Sequence, residues 1–353
     1  LPDNSESNII VSSPPNQYLR WEKTTNWNGG LDVAVLGNRI AFTADVYRRV
    51  SDDLIGMRSL PGENGFDYST MNWAKLTNRG YELSLSTVNV KTKDFRWVMD
   101  FNLAHNKSKI NRLNVRDNSY EPSREGYSVG AVFSLKTAGL DENGLQMFYN
   151  KQGEKVSFND FFGLEYGYMM GGLIPFLKSN LSAEEYRNLF TYEGTTEPKF
   201  TGGWINRFYY KNFDLTVSAS FVLDQTVQEQ PFYNPVQTSP GQNYSRRMSQ
   251  IWSPDNTSGN YPRIMGTYTE GEENWAYQWL GMLDPGNSYR KYDYWFKKMS
   301  YMRINSIRLG YTFPERLLGH IGFSSARISF EARNPFVFGS SYKGYFDPET
   351  YGN

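Results

Sequence analysis

The chain lacks several features that would point to common classes of protein. Its 353 residues include no cysteine and only two histidines. Disulfides and thiolate metal sites are therefore excluded. Acidic and basic residues are equal in number, 37 of each, so the chain has no basic excess of the kind that nucleic-acid-binding proteins show, and we expect no nucleic-acid partner. No apolar run approaches the about 18 residues that a membrane-spanning helix needs.

The chain is instead rich in aromatic rings. They make up 16% of the residues, with 26 Tyr, 23 Phe and 9 Trp. The hydrophobic fraction is only 39%, which is low for a globular protein of this length. This composition favours large amphipathic surfaces over one large apolar core.

The segment RIAFTADVYRRVSDDLI, residues 39–55, alternates between apolar and polar side chains. Ile40, Phe42, Ala44 and Val46 fall on one face of an extended chain, and polar residues fall on the other. A period of two residues predicts a β-strand with one apolar face. The same alternation recurs in 76–87, 95–106, 213–223 and 326–334, and more loosely in 202–211 and 301–313, each close to the about ten residues that a tilted membrane strand needs. Strand parity adds a strand that ends near Leu36.

The connections between these segments fall into two classes. Residues 36–39, 88–94 and 211–212 are short turns, whereas 51–75, 107–201 and 224–300 are long and rich in Gly, Pro, Asn and aromatic residues. Short turns at one end and long loops at the other are typical of an outer-membrane barrel. We therefore predict an all-β fold, an antiparallel transmembrane barrel wall with long extracellular loops.

Strand parity constrains the longest connection. If the strands alternate in direction, 107–201 contains either no full strand or two, and YSVGAVFSLKTAGL (127–140) is a candidate for such a pair. The sequence thus predicts about eight wall strands, or about ten with that pair.

The apolar face has two interpretations. It contacts lipid in a barrel wall, or it packs against a second sheet in a secreted soluble all-β protein that binds glycans. Asp, Glu, Arg and Asn on the opposite face favour a water-filled lumen. Under the barrel interpretation these residues face lipid: Phe42, Ala44, Val46, Phe101, Leu103, Leu215, Val217, Ala219, Ile328 and Phe330.

The sequence gives only weak signals for a catalytic or metal-binding site. His105 and His320 are predicted at opposite ends of the wall, so a shared site is not expected. DENG (141–144) lacks the further acidic ligands of a calcium loop and predicts a plain turn. Ser182 is a candidate N-cap for a short helix in SAEEYRNLF (182–190). Paired carboxylates such as Asp52 and Asp53 predict solvated surface charge. We therefore expect no catalytic residue, no metal ligand, no cofactor and no enzymatic activity.

The connection 224–300 is the one candidate binding segment. It is too long for a simple connector and too rich in Trp for disorder. Its rings either form the segment's own core or contact another molecule. The best candidates for contact with cargo or a partner protein are Trp275, Tyr277, Trp279 and Trp295.

An ordered series of segments carries a family resemblance. NGGLDVAVLGNRIAFTADVYRRVSDDLI (28–55), LTNRGYELSLS (76–86), EPKFTGGWINRFYYKNFDLTVSASFVL (197–223), YMRINSIRLGYTFP (301–314) and ARISFEARNPFVF (326–338) follow one another. The chain resembles the C-terminal barrel portion of a SusC-type TonB-dependent transporter from the outer membrane of Bacteroidota. The resemblance covers nearly the whole chain.

The resemblance implies a fold, a function and partners. Residues 1–353 would form the C-terminal part of a barrel of about 22 strands, with the plug, the TonB box and the final strand outside this chain. The implied function is TonB-dependent nutrient import across the outer membrane, without any change of covalent bonds. The implied partners are a SusD-like lipoprotein lid, TonB through the missing N-terminal part, oligosaccharide or peptide cargo, and outer-membrane lipid.

Overall fold

A computed structural model describes residues 14–60, 63, 65–66, 68–113, 120–169, 174–235, 241–264, 288–318, 323–339, 347 and 349. Within these ranges the chain is built mainly of β-strands. In chain order they are β1 (Lys23–Val35), β2 (Ile40–Ser59), β3 (Tyr68–Lys91), β4 (Phe95–Leu113), β5 (Ala131–Ser134), β6 (Thr137–Leu140), β7 (Gln146–Tyr149), β8 (Lys155–Val156), β9 (Leu164–Met169), β10 (Ile174–Ser179), β11 (Thr191–Thr195), β12 (Phe200–Tyr210), β13 (Phe213–Gln228), β14 (Phe296–Thr312) and β15 (Arg327–Phe338).

Eight of these strands form one antiparallel sheet, which we call the wall. Its strand order is β1-β2-β3-β4-β12-β13-β14-β15, so neighbours in the wall are also consecutive along the chain once the segment between β4 and β12 is set aside. The three short connections predicted from the sequence lie at one end of the wall, the turn end. The long ones lie at the other, the loop end. The predicted antiparallel wall is confirmed.

The tight turns are made by residues with left-handed backbone. Leu36, Gly37 and Asn38 have φ of 55°, 63° and 63°, and Lys211 has a φ of 50°. Side chains other than Gly and Asn adopt this region rarely. Leu36 and Lys211 accept that cost because two-residue and similarly short hairpin connections need positive φ to follow the twist of the strands.

Cross-strand register places the apolar side chains on one side of the wall. One row runs from Phe42 through Leu85, Phe101 and Trp204 to Ala219, each directly opposite the next. The parallel rows follow the same alternation, so all ten residues predicted to face lipid share this side. We call it the apolar face. Its continuity over eight strands is what one-sided burial demands, because a slip of one residue would reverse every side chain.

Much of the apolar face is uncovered in the described chain, although Ala219 is buried. Phe330 is 72% exposed, Ile328 63% and Val46 59%. In a soluble sandwich such side chains would pack against a second sheet about 10 Å away. Their exposure agrees with a wall whose apolar face contacts lipid. Within the described ranges, no helix is long and apolar enough to cross a membrane.

The predicted loop at 51–75 is wrong. β2 continues to residue 59 and β3 begins at residue 68, so most of that range is a paired extension of the wall. The alternation breaks there because the register shifts between Ser51 and Leu54. Asp53 takes a φ of 56° within that β-bulge, and Arg20 holds its carboxylate at 2.7 Å. A bulge inserts one extra residue and hides the period of two.

The connection between β4 and β12 contains no wall strand among its described residues. The proposed wall pair including 127–140 is therefore wrong. Those residues form β5 and β6, four residues each, in two small sheets outside the wall. They are too short to span a membrane. The parity argument agrees with this result, because it allowed either no full strand or two full strands in residues 107–201.

Two short helices lie in the same connection, α1 (Phe158–Phe162) and α2 (Ala183–Arg187), and a third, α3 (Glu315–Leu318), follows β14. Ser182 is the N-cap of α2, as predicted, and forms a capping box with Glu185. Hydrogen bonds from the Ser182 hydroxyl and backbone N–H hold the pKa of Glu185 below its usual value. Ser157 caps α1 in the same way through the N–H of Asp160.

Candidate functional site

The side of the wall opposite the apolar face is polar, and we call it the polar face. Its side chains bond across strands. The Thr43 hydroxyl donates to Asp32 at 2.7 Å, and the Ser86 hydroxyl donates to Asp100 at 2.6 Å. Arg207 also pairs with Asp100. Charged and hydroxyl groups that bond to one another along a sheet suit contact with water, so this face has the character of a barrel lumen.

A cavity of about 610 Å³ opens on the polar face of β1 to β4. Four asparagines supply amide groups to it, beside a phenol, a guanidinium and two carboxylates. The polar lining residues are Asn26, Asn28, Asn78, Asn106, Tyr47, Arg49, Asp45 and Glu82. We call this the amide cavity.

Hydrogen bonds fix the donors and acceptors of the amide cavity. The Arg49 Nε donates to Asn26 Oδ1 at 2.9 Å, and the Tyr47 hydroxyl donates to Asn106 Oδ1 at 3.1 Å. Each of these amides therefore has its oxygen engaged, which orients its NH₂ group as a remaining donor. The Tyr47 ring lies over Gly80, where no side chain obstructs it.

Asp45 and Glu82 stand directly opposite each other in the register of β2 and β3. Like charges in this position destabilise a sheet. Within the described chain neither carboxylate takes part in an ion pair. Two uncompensated carboxylates beside amide donors favour ligands that carry hydrogen-bond donors or positive charge.

The second feature is a buried aromatic core at the loop end, which we call the loop cluster. It combines residues from the β4–β12 and β13–β14 connections. Its buried members are Leu135, Phe148, Phe158, Phe161, Phe162, Tyr186, Tyr233, Ile251, Tyr289, Tyr292 and Trp295. Phe148 stacks on Phe161 with ring centroids 4.3 Å apart and meets Tyr292 edge-on at 5.1 Å. The rings thus fold the two long connections into one body.

Backbone hydrogen bonds join the two connections as well. The Leu135 N–H donates to the Lys291 carbonyl at 2.8 Å, and the Asp293 N–H donates to the Leu135 carbonyl at 3.1 Å. The Thr137 hydroxyl donates to the Asp293 carboxylate at 2.6 Å. We call these contacts the seam. They fix the relative position of the two long loops.

A buried ion pair stabilises the β13–β14 connection beside the loop cluster. Arg247 pairs with Glu229, donates to the Tyr261 hydroxyl at 2.9 Å and lies 4.5 Å from the centre of the Phe232 ring. Burial alone would lower the pKa of Arg247, but the hydrogen bonds to Glu229 and Tyr261 outweigh it and raise the pKa. The guanidinium therefore stays charged inside the loop.

The structure separates the four residues predicted to contact cargo or a partner. Trp275, Tyr277 and Trp279 lie outside the described residues, which omit 265–287. Trp295 is described and is fully buried in the loop cluster, stacked on Tyr261 at 5.5 Å. Contact through the Trp295 ring itself would require the cluster to open. The role of all four stays a prediction.

The other candidates considered from the sequence take ordinary positions. His105 lies between the rings of Tyr81 and Phe200, with its Nδ1 2.6 Å from the Lys199 carbonyl oxygen. His320 lies outside the described residues. Asp141 accepts the backbone N–H groups of Asn143 and Leu145 in a turn between β6 and β7. The DENG segment is thus a turn, as predicted.

The amide cavity was missed by the sequence analysis. Its signal was present in part, because Asn26 and Asn28, like Asp45, Tyr47 and Arg49, follow the period of two on the polar side. Their convergence depends on the register between strands, which alternation within one strand does not specify.

Fold and faces together define the class of protein. One wide antiparallel sheet has an uncovered apolar face, a hydrogen-bonded polar face with a cavity, short turns at one end and folded loops at the other. This combination is the wall of a transmembrane β-barrel.

Comparison with known sequences shows which family the chain is similar to. The β-barrel model of TonB-dependent receptors matches residues 2–161. TonB-dependent receptor P3 of Formosa agariphila is 27% identical over 99% of this chain and 32% of its own length. TonB-dependent receptor SusC of Bacteroides thetaiotaomicron is 27% identical over 95% of this chain and 30% of its own length. The chain is therefore similar to the barrel sequences of SusC-type TonB-dependent receptors, in agreement with the resemblance.

Comparison with solved structures agrees on the fold. A structure of the RagAB peptide transporter superposes with a TM-score of 0.70 at 22% identity, covering 98% of this chain and 34% of that one. The chain thus spans about a third of the length of the relatives and structures that it matches.

Proposed function

We propose that this chain supplies part of the barrel of an outer-membrane transporter that imports nutrients in a TonB-dependent manner. The observation that carries the proposal is the division of one sheet into an uncovered apolar face and a polar face with a cavity. In this role residues 1–353 form the C-terminal part of the barrel domain. The apolar face contacts outer-membrane lipid, and the polar face lines the path of the cargo.

We further propose that a SusD-like surface lipoprotein covers the loop end and that TonB acts through parts of the protein outside this chain. The names of the relatives, SusC and RagAB, support such a partnership. The seam supports it physically, because a lid that opens and closes needs a firm rim. Trp275, Tyr277 and Trp279, which lie outside the described residues, remain proposed contact residues, together with Trp295 if the loop cluster opens.

The proposed cargo is an oligosaccharide or a peptide. The amide cavity suits either. Sugar hydroxyls and peptide N–H groups donate hydrogen bonds to carboxylates, and sugar hydroxyls and peptide carbonyl oxygens accept them from amide and guanidinium groups. None of these roles involves a change of covalent bonds, so we propose a transporter and not an enzyme.

Uptake measurements on cells that express the full-length protein test this proposal. Radiolabelled oligosaccharide and peptide mixtures are supplied to wild type, to a strain without TonB and to the double variant Asp45→Asn/Glu82→Gln. We expect uptake of one cargo class to disappear without TonB and to fall several-fold in the double variant, at unchanged barrel abundance. A matched control is Asp32→Asn, a carboxylate on the same face outside the cavity. Uptake that is independent of TonB would contradict the proposal.

A further inference from the structure

A row of positive charges crosses the apolar side of the wall at its loop end. Arg48 on β2 stands directly opposite Arg79 on β3, and Arg79 stands directly opposite Lys107 on β4. All three side chains are exposed. Lys109, two residues further along β4, adds a fourth exposed cation to the same side. We call Arg48, Arg79 and Lys107 the basic row.

The basic row lies on the apolar face and not in the lumen. On each of the three strands, the residue two positions closer to the turn end lies about 7 Å away along the strand. These residues are Val46 beside Arg48, Tyr81 beside Arg79 and His105 beside Lys107. No register shift intervenes on β2, β3 or β4 in this stretch. The cations therefore point to the same side as Phe42, Ala44 and Val46, just beyond the apolar band.

Aromatic side chains mark the level of the basic row. Trp27 on β1 stands opposite Arg48 and is 69% exposed. The rings of Tyr81, His105 and Phe200 form a row immediately below, with centroids 5.2 Å and 5.1 Å apart. Amphipathic rings collect where a membrane meets water, at the depth of the lipid headgroups. Cations one step beyond them are at headgroup depth.

The row lacks a counter-charge in the described chain. Cross-strand neighbours have Cβ atoms about 5 Å apart, so three cations in line repel one another. Some basic residues elsewhere on the wall have an acidic partner, for example Arg207 with Asp100 and Arg327 with Asp214. Within the described residues none of Arg48, Arg79 and Lys107 takes part in an ion pair. An external anion would remove this repulsion.

A groove lies beside the row and has room for such an anion. Its volume is about 1190 Å³, and Arg48, Arg79, Lys107 and Lys109 line one side of it. The carboxylates on its other side are already engaged. The Glu193 carboxylate pairs with Lys136, the Glu197 carboxylate accepts from Ser108 at 2.6 Å, and the Asp224 carboxylate lies 4.0 Å from Lys199. The lining holds six cations against these three carboxylates, so the net charge of the groove is positive. The cations are Arg48, Arg79, Lys107, Lys109, Lys199 and Lys298.

From these observations we infer that the basic row binds the phosphate groups of a lipid headgroup in the outer leaflet around the barrel. Arginine forks hold phosphate oxygens bidentately, and lysine adds a point charge. The inference rests on the proposed function for the membrane position of the wall. It adds a lipid site on the outside of the barrel, separate from the cargo path.

Lipid retention by the purified full-length protein tests this inference. The protein is washed in detergent and incubated with micelles that hold a lipid extract of the host's outer membrane, before and after phosphatase treatment. Bound lipid and phosphorus per mole of protein are then measured. The variants are Arg48→Gln/Arg79→Gln/Lys107→Gln, the single Arg79→Gln, and Arg79→Lys, which keeps the charge. The matched control is Lys91→Gln/Lys93→Gln/Lys151→Gln, exposed lysines away from the row.

We expect wild type, Arg79→Lys and the control to retain the phosphorylated lipid. The triple variant should retain at least about tenfold less, since each surface cation contributes roughly fivefold to the attraction of anionic lipid. Phosphatase treatment should lower retention by wild type to the level of the triple variant. The single variant Arg79→Gln, which removes the centre of the row, should show an intermediate loss if the triple variant does not fold.

Three results would overturn the inference. The first is equal retention by wild type and by the folded variants. The second is displacement of the signal by inorganic phosphate at equal concentration, which would indicate an ion site without lipid recognition. The third is loss of lid co-purification with unchanged lipid retention, which would assign the row to a protein partner. Cargo uptake by the same variants is measured separately. If the proposed import function is wrong, uptake fails but lipid retention by wild type is unchanged, so the two proposals fail in different measurements.

Discussion

Gly80 lies where the wall has no space for a side chain. A Cβ at this position would be 2.2 Å from the His105 carbonyl oxygen and 2.6 Å from the Tyr47 hydroxyl. We expect Gly80→Ala to displace Tyr47 and to lower the free energy of unfolding by about 1–3 kcal/mol, as overpacking does. The heat-modifiability of the full-length barrel on gels measures this loss. Ser84→Ala, on the same strand and face, is the control, and an equal effect of both changes would contradict the argument.

The buried position of Trp295 gives it a different expected effect from its predicted companions. Trp295→Ala removes a fully buried ring from the loop cluster, which costs about 3–5 kcal/mol. We expect faster proteolysis of the two long connections in this variant. Alanine at Trp275 and Trp279 should instead weaken lid co-purification or cargo uptake at normal barrel abundance. Loss of co-purification by Trp295→Ala without faster proteolysis would favour a contact role for that ring.

At the scale of elements, the seam and the loop cluster together predict that the two long connections unfold together. Phe148 belongs to one and Tyr292 to the other, and their rings meet edge-on at 5.1 Å. We expect a double-mutant cycle of Phe148→Ala and Tyr292→Ala to give a coupling energy within the about 0.5–3 kcal/mol found for residues in contact. Protection of loop amides from hydrogen exchange supplies the free energies. Phe200→Ala, outside the cluster, replaces Tyr292→Ala in the control cycle. Additive effects would show that the loops are independent.

The strands of the wall were predictable from the sequence, and their outer ends were not. Alternation located seven of the eight strands, because one-sided burial imposes a period of two, and strand parity added the strand that ends near Leu36. It failed beyond Ser51, where the bulge at Asp53 shifts the phase. The segment 127–140 misled for another reason. Ala131, Ser134 and Leu135 are buried outside the wall, Leu135 in the loop cluster, and such local burial produces strand-like patterns without a place in the wall.

For the candidate site, the sequence predicted the polar face but not the amide cavity. Asn26, Asn78 and Asn106 are far apart in sequence and meet only through the pairing of β1 with β2, β2 with β3 and β3 with β4. The basic row depends on register in the same way. Arg48, Arg79 and Lys107 each look like an isolated surface charge until the strands are paired.

At the scale of the whole molecule, the wall ends in two edges. β1 and β15 are the outer strands of the eight-stranded order, and each leaves one row of backbone groups without a strand partner in the described chain. Such groups cannot remain unpaired in hydrocarbon. We expect residues 1–353 refolded alone in detergent to aggregate or to stay protease-sensitive. The full-length protein, treated identically, should give a heat-modifiable band. A stable heat-modifiable monomer of the isolated chain would contradict this prediction.

The central claim is that one face of the wall contacts lipid and the other contacts water. Single cysteines that carry spin labels are introduced along β2 of the full-length protein in membranes, at positions 42 to 47, where this chain contributes no cysteine of its own. Collision rates with oxygen and with a water-soluble nickel complex then report the surroundings of each label. We predict that labels replacing Phe42, Ala44 and Val46 collide mainly with oxygen and those replacing Thr43, Asp45 and Tyr47 mainly with nickel. Aqueous accessibility at all six positions would contradict the account.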